Sequence, residues 1–204
     1  MPNWCHNNIV ISHNEEKWWD WFMSTKFNFQ KIVPCPPNIH KVNDDEEPWN
    51  HNFSTVMWGT KWPIDQDELD SQWDKEAKGA MSFNFETAWG PPLGIYKALH
   101  LFGFKIRATY LEEGCNFCGL WDNTIVGDDL LSRFLGKRRD FDNCYNLDEI
   151  MPNYITTQEK WEKFIENNPL DENVKKILED FDWWVEDRIE WNRENEEEED
   201  EGCE

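Results

Sequence analysis

Two short segments rich in tryptophan carry the residue types best suited to binding chemistry. Residues 58–62 (WGTKW) and 87–92 (TAWGPP) place indole rings beside Gly, Thr and Lys. Indole faces can stack a flat ligand, and the neighbouring hydroxyl and ammonium groups can hydrogen-bond its edge. The same residue types also serve packing and loop rigidity, which is the alternative interpretation. We expect a cleft for a small ligand or a peptide, lined by Trp4, Trp58, Thr60, Lys61, Trp62, Trp89 and Tyr110.

Three carboxylates offer a catalytic interpretation. Glu112 and Glu113 are adjacent, and Asp122 lies in the segment that is predicted to pair with theirs in a hairpin. Two close carboxylates raise one another's pKa, which suits general acid and base catalysis. In a chain with 42 Asp and Glu residues such pairs also arise by chance. The five histidines show no sequence pattern of a catalytic triad, so these carboxylates are the candidate catalytic residues.

Cys115 and Cys118 have the CxxC spacing by which two thiolates hold one zinc ion from a tight turn. A structural zinc needs two more ligands, which only Cys5, Cys144 and the scattered histidines could supply. No helix follows the pair to lower a thiol pKa, as a redox site requires. We therefore interpret both as hairpin cysteines, keep zinc binding as the alternative, and predict no cofactor. All six cysteines are expected to be reduced, as in a cytosolic protein.

The charge of the chain limits its partners. Its 204 residues include 42 Asp and Glu against 20 Lys and Arg, a formal net charge of −22. So acidic a surface repels phosphate backbones, which disfavours direct binding to DNA or RNA. Basic residues cluster only near 137–139, where acidic side chains can pair with them. No apolar run reaches the roughly 18–20 residues that cross a bilayer, so we expect a cytoplasmic protein without membrane contact.

Hydrophobic periodicity predicts the elements that position these residues. Strand, helix and strand occur twice along the chain, and a further hairpin strand follows near 115–124. This order predicts an α+β ferredoxin-like fold, one antiparallel sheet with two helices on a single face. The predicted elements are strands at 7–12, 27–33, 81–88 and 104–113 and helices at 15–25 and 91–103.

Composition divides the chain into three parts. Residues 1–135 are predicted to form the ferredoxin-like domain, and 136–192 a connecting loop followed by a helical extension. Inside the domain, 38–80 is predicted to be an irregular insertion with at most a short strand near 57–58 and one short helix near 65–78. Residues 193–204 are predicted to be a disordered acidic tail, because like charges repel and apolar residues are missing.

Two helices are predicted in the extension. Thr156 and Glu159 have the spacing of a capping box, which begins a helix that ends before Pro169. Residues 171–192 carry apolar side chains at spacings typical of one face of an amphipathic helix. This face, wide and rich in tryptophan, either packs on the domain or binds a partner.

Four segments in order resemble a known family. They are MPNWCHNNIVIS at 1–12, MWGTKWP at 57–63, FETAWGPP at 85–92 and YLEEGCNFCGLW at 110–121. These blocks resemble those of the YubB-type ferredoxin-like proteins of bacteriophages and plasmids, over roughly residues 1–125. The chain departs from the family at Ser12-His13, where Gly is usual, and at Pro63, where an acidic residue is usual. The resemblance implies a ferredoxin-like domain of a phage, virus or plasmid, and it implies no reaction, cofactor or catalytic residue.

The features together predict a non-catalytic interaction protein. Its aromatic residues would bind a protein of the host cell or a small ligand. One alternative is an acidic mimic of DNA that occupies the basic groove of a nucleic-acid enzyme. Another is an enzyme that acts on a small or nucleotide substrate through a carboxylate acid and base.

Overall fold

An antiparallel sheet forms the centre of the protein, seen in a computed structural model that describes residues 3–36, 50–123 and 144–201. Its strands are β1 (Trp4–Ser12), β2 (Ala80–Ala88), β3 (Lys105–Glu112), β4 (Phe117–Asp122) and β5 (Cys144–Asn146). They lie in the order β2-β1-β3-β4-β5, and every neighbouring pair is antiparallel. β1 therefore lies between β2 and β3, which run parallel to each other on its two sides.

Helices lie on both faces of this sheet. They are α1 (Glu16–Thr25), α2 (Phe29–Ile32), α3 (His51–Phe53), α4 (Gln66–Gln72), α5 (Leu93–Leu101), α6 (Leu147–Ile150), α7 (Gln158–Asn167), α8 (Glu172–Asp180) and α9 (Asp182–Glu201), with a π-helical turn at Ser54–Trp58. On one face, α1 and α5 share a core with alternate residues of the strands, because successive strand side chains point to opposite faces. This is the α+β ferredoxin-like arrangement that the sequence predicts. Its core includes Ile9, Ile11, Trp19, Phe22, Phe83, Phe85, Ile95, Leu99, Ile106 and Ala108.

The predicted strand at 27–33 is wrong, because this segment forms the single helical turn α2. The Asn28 side chain caps that turn by accepting a backbone N–H bond. Phe27 has a φ of +54°, which turns the chain out of an extended path. Phe29 and Ile32 then enter the core three residues apart, as a helical turn allows. The spacing of Phe27 and Phe29 fits a strand, whereas the spacing of Phe29 and Ile32 decides the structure.

Residues 50–80, the described part of the insertion, are more ordered than the sequence predicts. Trp58 ends the π-helical turn, so the predicted short strand at 57–58 is wrong. Its indole N–H donates to the Val33 carbonyl and fixes the turn against the end of α2. The predicted short helix near 65–78 corresponds to α4, which is anchored in the core by Leu69 and by the following Trp73.

The C-terminal helices cover part of the opposite face of the sheet. α8 packs against β3 and β4, where Leu111, Cys118 and Leu120 meet Val174 and Ile177 in a second core. The apolar face of the predicted amphipathic segment therefore packs on the domain. Burial of both sheet faces explains why the chain contains so many large apolar residues despite its charge.

The predicted single helix over 171–192 is divided in the structure. α8 ends at Asp180, and the following Phe181 has a φ of −129° and a ψ of 52°, outside the helical region; α9 then begins at Asp182. Phe181 and Trp184 are both buried in the second core. The break lets both side chains reach the core, which hydrophobic spacing alone does not reveal. The N-terminal cap of α7 differs from the predicted capping box. The Thr157 hydroxyl, rather than that of Thr156, accepts the N–H of Lys160.

The last helix extends beyond the predicted end of the helical region. α9 continues to Glu201 and so includes most of the segment 193–204, for which the sequence predicts disorder. Glu and Arg are good helix formers and lengthen a helix that is already nucleated. Among the described residues, none of the helices combines the length and the apolar character needed to cross a membrane.

Candidate functional site

The segments that carry the tryptophan motifs meet at one end of the sheet. Trp4, at the start of β1, pairs with Ala88 at the end of β2. His6 pairs with Leu111 near the end of β3, and Leu111 pairs with Cys118 near the start of β4. The antiparallel register thus gathers segments that are far apart in sequence at a single edge of the domain.

Four partly or largely exposed side chains form what we call the aromatic surface: Trp4, Lys61, Trp62 and Trp89. The rings of Trp4 and Trp62 lie 6.2 Å apart between centroids. The Lys61 ammonium lies between two indole faces, 4.6 Å from the Trp62 centroid and 4.3 Å from that of Trp89. Trp4 and Trp89 are each 44% exposed. The arrangement presents a cation and three aromatic rings together at the surface.

The backbone of Trp89 is strained. Its φ is +73°, a conformation that is rare for a bulky side chain and costs of the order of 1 kcal/mol or more. A hydrogen bond of 2.9 Å from its N–H to the Asn3 carbonyl holds this conformation. In this conformation the ring lies against the Lys61 ammonium and against the His51 ring, whose centroid is 5.8 Å away.

Hydrogen bonds to the end of β2 fix the segment that carries Lys61. The Thr60 hydroxyl donates to the Ala88 carbonyl at 2.9 Å, and the Lys61 N–H donates to the same oxygen at 3.3 Å. The Ser54 hydroxyl donates to the Lys61 carbonyl at 2.6 Å. Lys61 and Trp62 are therefore held against the strand end by their backbone, and their side chains are left to the surface.

Three residues of the predicted cleft are not on this surface. Trp58, Thr60 and Tyr110 are buried, with exposures of 1%, 1% and 2%. Trp58 and Thr60 make the hydrogen bonds described above, and Tyr110 packs against Gly119 and Phe117. These three side chains therefore belong to the packed interior, whereas Trp4, Lys61, Trp62 and Trp89 lie together at the surface.

The three candidate catalytic carboxylates do not converge. Glu112 is fully buried, and its carboxylate accepts the N–H groups of Gly114 and Cys115 at 3.0 and 2.6 Å, which closes the hairpin turn. Asp122 lies opposite Arg107, five residues back along β3 from Glu112. At about 3.3 Å per residue the separation along the strand is roughly 17 Å.

Glu113 lies near groups of both charges. Burial raises the pKa of the Glu113 carboxyl, and the nearby Asp187 raises it further, while His6 and Arg188 oppose the shift. The adjacent Glu112 is occupied by the turn, so the pair does not form the shared acid and base site that the sequence suggested.

The CxxC pair is divided between two environments. Cys115 is exposed in the turn and accepts a bond from the Asn3 side chain at 3.5 Å, whereas Cys118 is buried in the second core. Burial raises the pKa of the Cys118 thiol from its usual 9.0 to about 12. Within the described part of the chain, no group of three or more His, Cys, Asp or Glu side chains is placed to hold a metal ion.

Two features near the sheet end are not apparent from the sequence. His51, in the irregular insertion, packs its ring edge-on against Trp89. On the other sheet face, a crevice of about 240 Å³ lies beside α9, where His6 contacts Glu86 at 3.0 Å and the Trp183 ring at 5.2 Å. Both depend on contacts between segments far apart in sequence, so no local pattern could indicate them. The basic cluster at 137–139 lies outside the described residues.

Comparison with known proteins supports the fold. Residues 68–129 match the family described as a ferredoxin-like domain in Api92-like protein. A ferredoxin-like family is thereby supported. The matched segment includes β2, α5, β3 and β4, and with them Trp89 of the aromatic surface. No curated protein and no solved structure matches the chain.

Proposed function

We propose that this is a non-catalytic binding protein and that the aromatic surface is its contact with a protein partner. The observation that carries the proposal is the Lys61 ammonium held between the indole faces of Trp62 and Trp89. Tryptophan dominates the energetics of protein interfaces because it combines a large apolar area with a polar N–H. Exposed rings that are held rigidly in place lose little entropy when a partner covers them.

The strained backbone of Trp89 supports a role beyond folding. Glycine adopts a positive φ without strain, so stability alone favours glycine at this position. Strained backbone is commonly retained where a side chain must be displayed for binding. The ring of Trp89 is still 44% exposed, so its burial in the core does not account for the strain.

The charge of the chain points to the chemistry of the partner. With a net charge of −22, the protein attracts surfaces rich in Lys and Arg and repels acidic ones. Such side chains also stack on exposed indole rings. The proposed partner therefore presents basic side chains around an apolar contact. The resemblance to YubB-type proteins suggests a phage, virus or plasmid as the source of the chain, and hence a partner from the host cell.

Matched tryptophan variants test the proposal. The tagged parent, Trp62→Ala and Trp89→Ala are compared for recovery of partners from the cells that make the protein. Trp191→Ala is the control, because Trp191 is 47% exposed and also has a cation on its face, with the Arg188 guanidinium 4.5 Å from the ring centroid. A partner lost by the first two variants and kept by the control supports the proposal. Equal retention by all three would remove it.

The same experiment distinguishes binding through the aromatic surface from the alternative, an acidic mimic of DNA. α9 is a long helix with an acidic first turn, and a partner held mainly by charge would be released at high salt. If the Trp62 and Trp89 variants keep a partner that high salt releases and DNA displaces, the acidic surface is the contact instead. A partner that depends on both tryptophans and survives high salt favours the aromatic surface.

A further inference from the structure

The crevice beside α9 is a second concave site close to the aromatic surface. Residues of β1 and β2 form its floor, and the junction of α8 and α9 forms a wall. Its volume is about 240 Å³. Sites for whole small molecules usually measure roughly 300–1,000 Å³, so this crevice has the size for a single side chain.

Two carboxylates lie on opposite sides of the crevice. Glu86 belongs to β2, whereas Asp180, the last residue of α8, lies over β3 and accepts the Thr109 hydroxyl at 2.7 Å. Thr109 and Asn84 both pair with Asn8 of β1. Since β1 separates the two outer strands, the walls are two strand spacings apart, about 10 Å. Two carboxylate side chains can both reach a planar group placed between them.

Each carboxylate is held through one oxygen and has a second oxygen left. Glu86 Oε1 lies 3.0 Å from His6 Nδ1, and Asp180 Oδ2 accepts the Thr109 hydroxyl. Within the described part of the chain, Glu86 Oε2 and Asp180 Oδ1 have no protein partner. No Lys or Arg is among the described residues that line the crevice. The crevice therefore attracts a positively charged hydrogen-bond donor.

The ends of the two helices agree with this charge preference. α8 ends at Asp180, and the carbonyl end of a helix attracts positive charge. The opposite end of a helix repels a cation, but α9 begins with Asp182, whose carboxylate accepts the Trp183 N–H at 2.9 Å. The negative charge of Asp182 thus offsets the start of α9.

Trp183 adds an aromatic side chain to this wall. It is 37% exposed, and its ring centroid lies 5.2 Å from that of His6. A guanidinium group stacks on indole rings, and its planar set of five N–H donors matches carboxylates on two sides. An ammonium group is a compact point charge with three donors. The lining of the crevice therefore matches arginine better than lysine.

The crevice continues the aromatic surface along β1. Trp4 and His6 are two residues apart on this strand, so their side chains share a face and lie roughly 7 Å apart. Trp4 belongs to the aromatic surface, and His6 lines the crevice. A protein that covers Trp4 can place a neighbouring side chain in the crevice.

We infer that the crevice binds an arginine side chain of the protein partner. Its guanidinium group bonds to Glu86 and Asp180 and packs against Trp183. That the arginine comes from the partner at the aromatic surface rests on the proposed function. The affinity of the crevice for a guanidinium group does not rest on it, and the two are tested separately.

Nuclear magnetic resonance titration of the purified protein tests the affinity. The probes are N-acetyl-arginine methylamide and its lysine and citrulline counterparts, citrulline being close to arginine in size but uncharged. The Trp183 indole N–H signal, assigned by its loss in Trp183→Phe, should shift and saturate with the arginine probe. The lysine probe should bind more weakly, and the citrulline probe should give no saturable shift. Equal binding of either counterpart, or no saturable shift with arginine, would overturn the inference.

A pair of double variants with equal charge locates the binding site. Glu86→Gln with Asp180→Asn keeps the side-chain size and one acceptor oxygen at each position. It should weaken binding of the arginine probe at least about tenfold, because hydrogen bonds between charged groups are lost. Glu166→Gln with Glu179→Gln removes the same charge at exposed positions outside the crevice and should change the affinity by less than about twofold. Equal affinities of the two double variants would show that the crevice is not the site.

Recovery of partners from cells tests the source of the arginine. The Glu86 and Asp180 double variant should lose the partner that Trp62→Ala and Trp89→Ala lose, and the control double variant should keep it. If only the tryptophan variants lose the partner, the inference is wrong while the proposed function stands. If the tryptophan variants keep every partner, the proposed function fails, whatever the titration shows.

Discussion

Replacing Gly94 with alanine tests how the fold positions the aromatic surface. Gly94 lies in the first turn of α5, where the helix crosses the π-helical turn that leads to Lys61 and Trp62. A Cβ at Gly94 would lie 1.9 Å from the Met57 carbonyl oxygen and 2.6 Å from the carbonyl carbon. Real Cβ contacts are essentially never under 3.0 Å, so the two backbones must separate by roughly 1 Å.

The expected cost follows from this overlap. Overpacking a core usually lowers the free energy of unfolding by about 1–3 kcal/mol. Here the Met57 carbonyl belongs to the backbone and cannot rotate away from the new Cβ, so we expect the upper end of this range, about 3 kcal/mol. Alanine is a better helix former than glycine by up to about 1 kcal/mol, which offsets part of the loss. We therefore expect Gly94→Ala to lower the free energy of unfolding by about 2 kcal/mol.

Urea denaturation measures this change, and Gly90→Ala is the matched control. A Cβ at Gly90 would meet only the Phe117 ring, at 3.9 Å, and its φ is not in the left-handed region. The control should differ from the parent by no more than about 0.5 kcal/mol. Near-ultraviolet circular dichroism should change only in Gly94→Ala, because the ring contacts of Lys61 shift with the π-helical turn. Equal stability and equal spectra for the two variants would refute the reasoning.

Three further outcomes test the roles assigned to predicted site residues. Glu112→Ala should lower the free energy of unfolding by about 2 kcal/mol in the same denaturation assay, because two turn N–H groups lose their acceptor, and an unchanged value would contradict that role. Alkylation followed by peptide mass analysis should modify Cys115 in the native protein and Cys118 only after unfolding, and early reaction of Cys118 would count against its burial. For Glu113, whose pKa is raised by burial, folding is favoured most below the usual pKa of glutamate and less as pH rises through the raised value. Glu113→Gln should therefore gain stability over the parent across that pH interval, and a difference that does not vary with pH would refute the assignment.

The local sequence pattern was sufficient to predict the strands and helices whose apolar residues follow a single periodicity, either that of a strand or that of a helix. The alternation of 81–88 predicts β2, and the proline start and glycine end of 91–103 predict α5. The prediction of a strand at 27–33 failed because the apolar spacing there fits both a strand and a helical turn. The Asn28 cap decides in favour of the turn. The break at Phe181 was also not predictable, because it depends on the distance from α8 to a sheet face formed by remote residues.

The candidate site was predicted in composition but not in geometry. Residue type indicated the tryptophans and Lys61, yet only the register of β1 and β2 shows which of them share a surface. Trp58 and Trp62 are four residues apart in one motif, but one is buried and the other partly exposed. Their difference arises from the π-helical turn that directs Trp58 inward.

Site-specific photo-cross-linking is the most direct measurement of the central claim, which is that the aromatic surface binds a protein. A photoreactive amino acid replaces the partly exposed Trp62 in one variant and the more exposed Trp191 in another, and both are irradiated in the cells that make them. We predict a discrete covalent adduct with a protein at position 62 and none of that adduct at position 191. The same products at both positions, or no adduct from a folded protein labelled at 62, would contradict the proposed function.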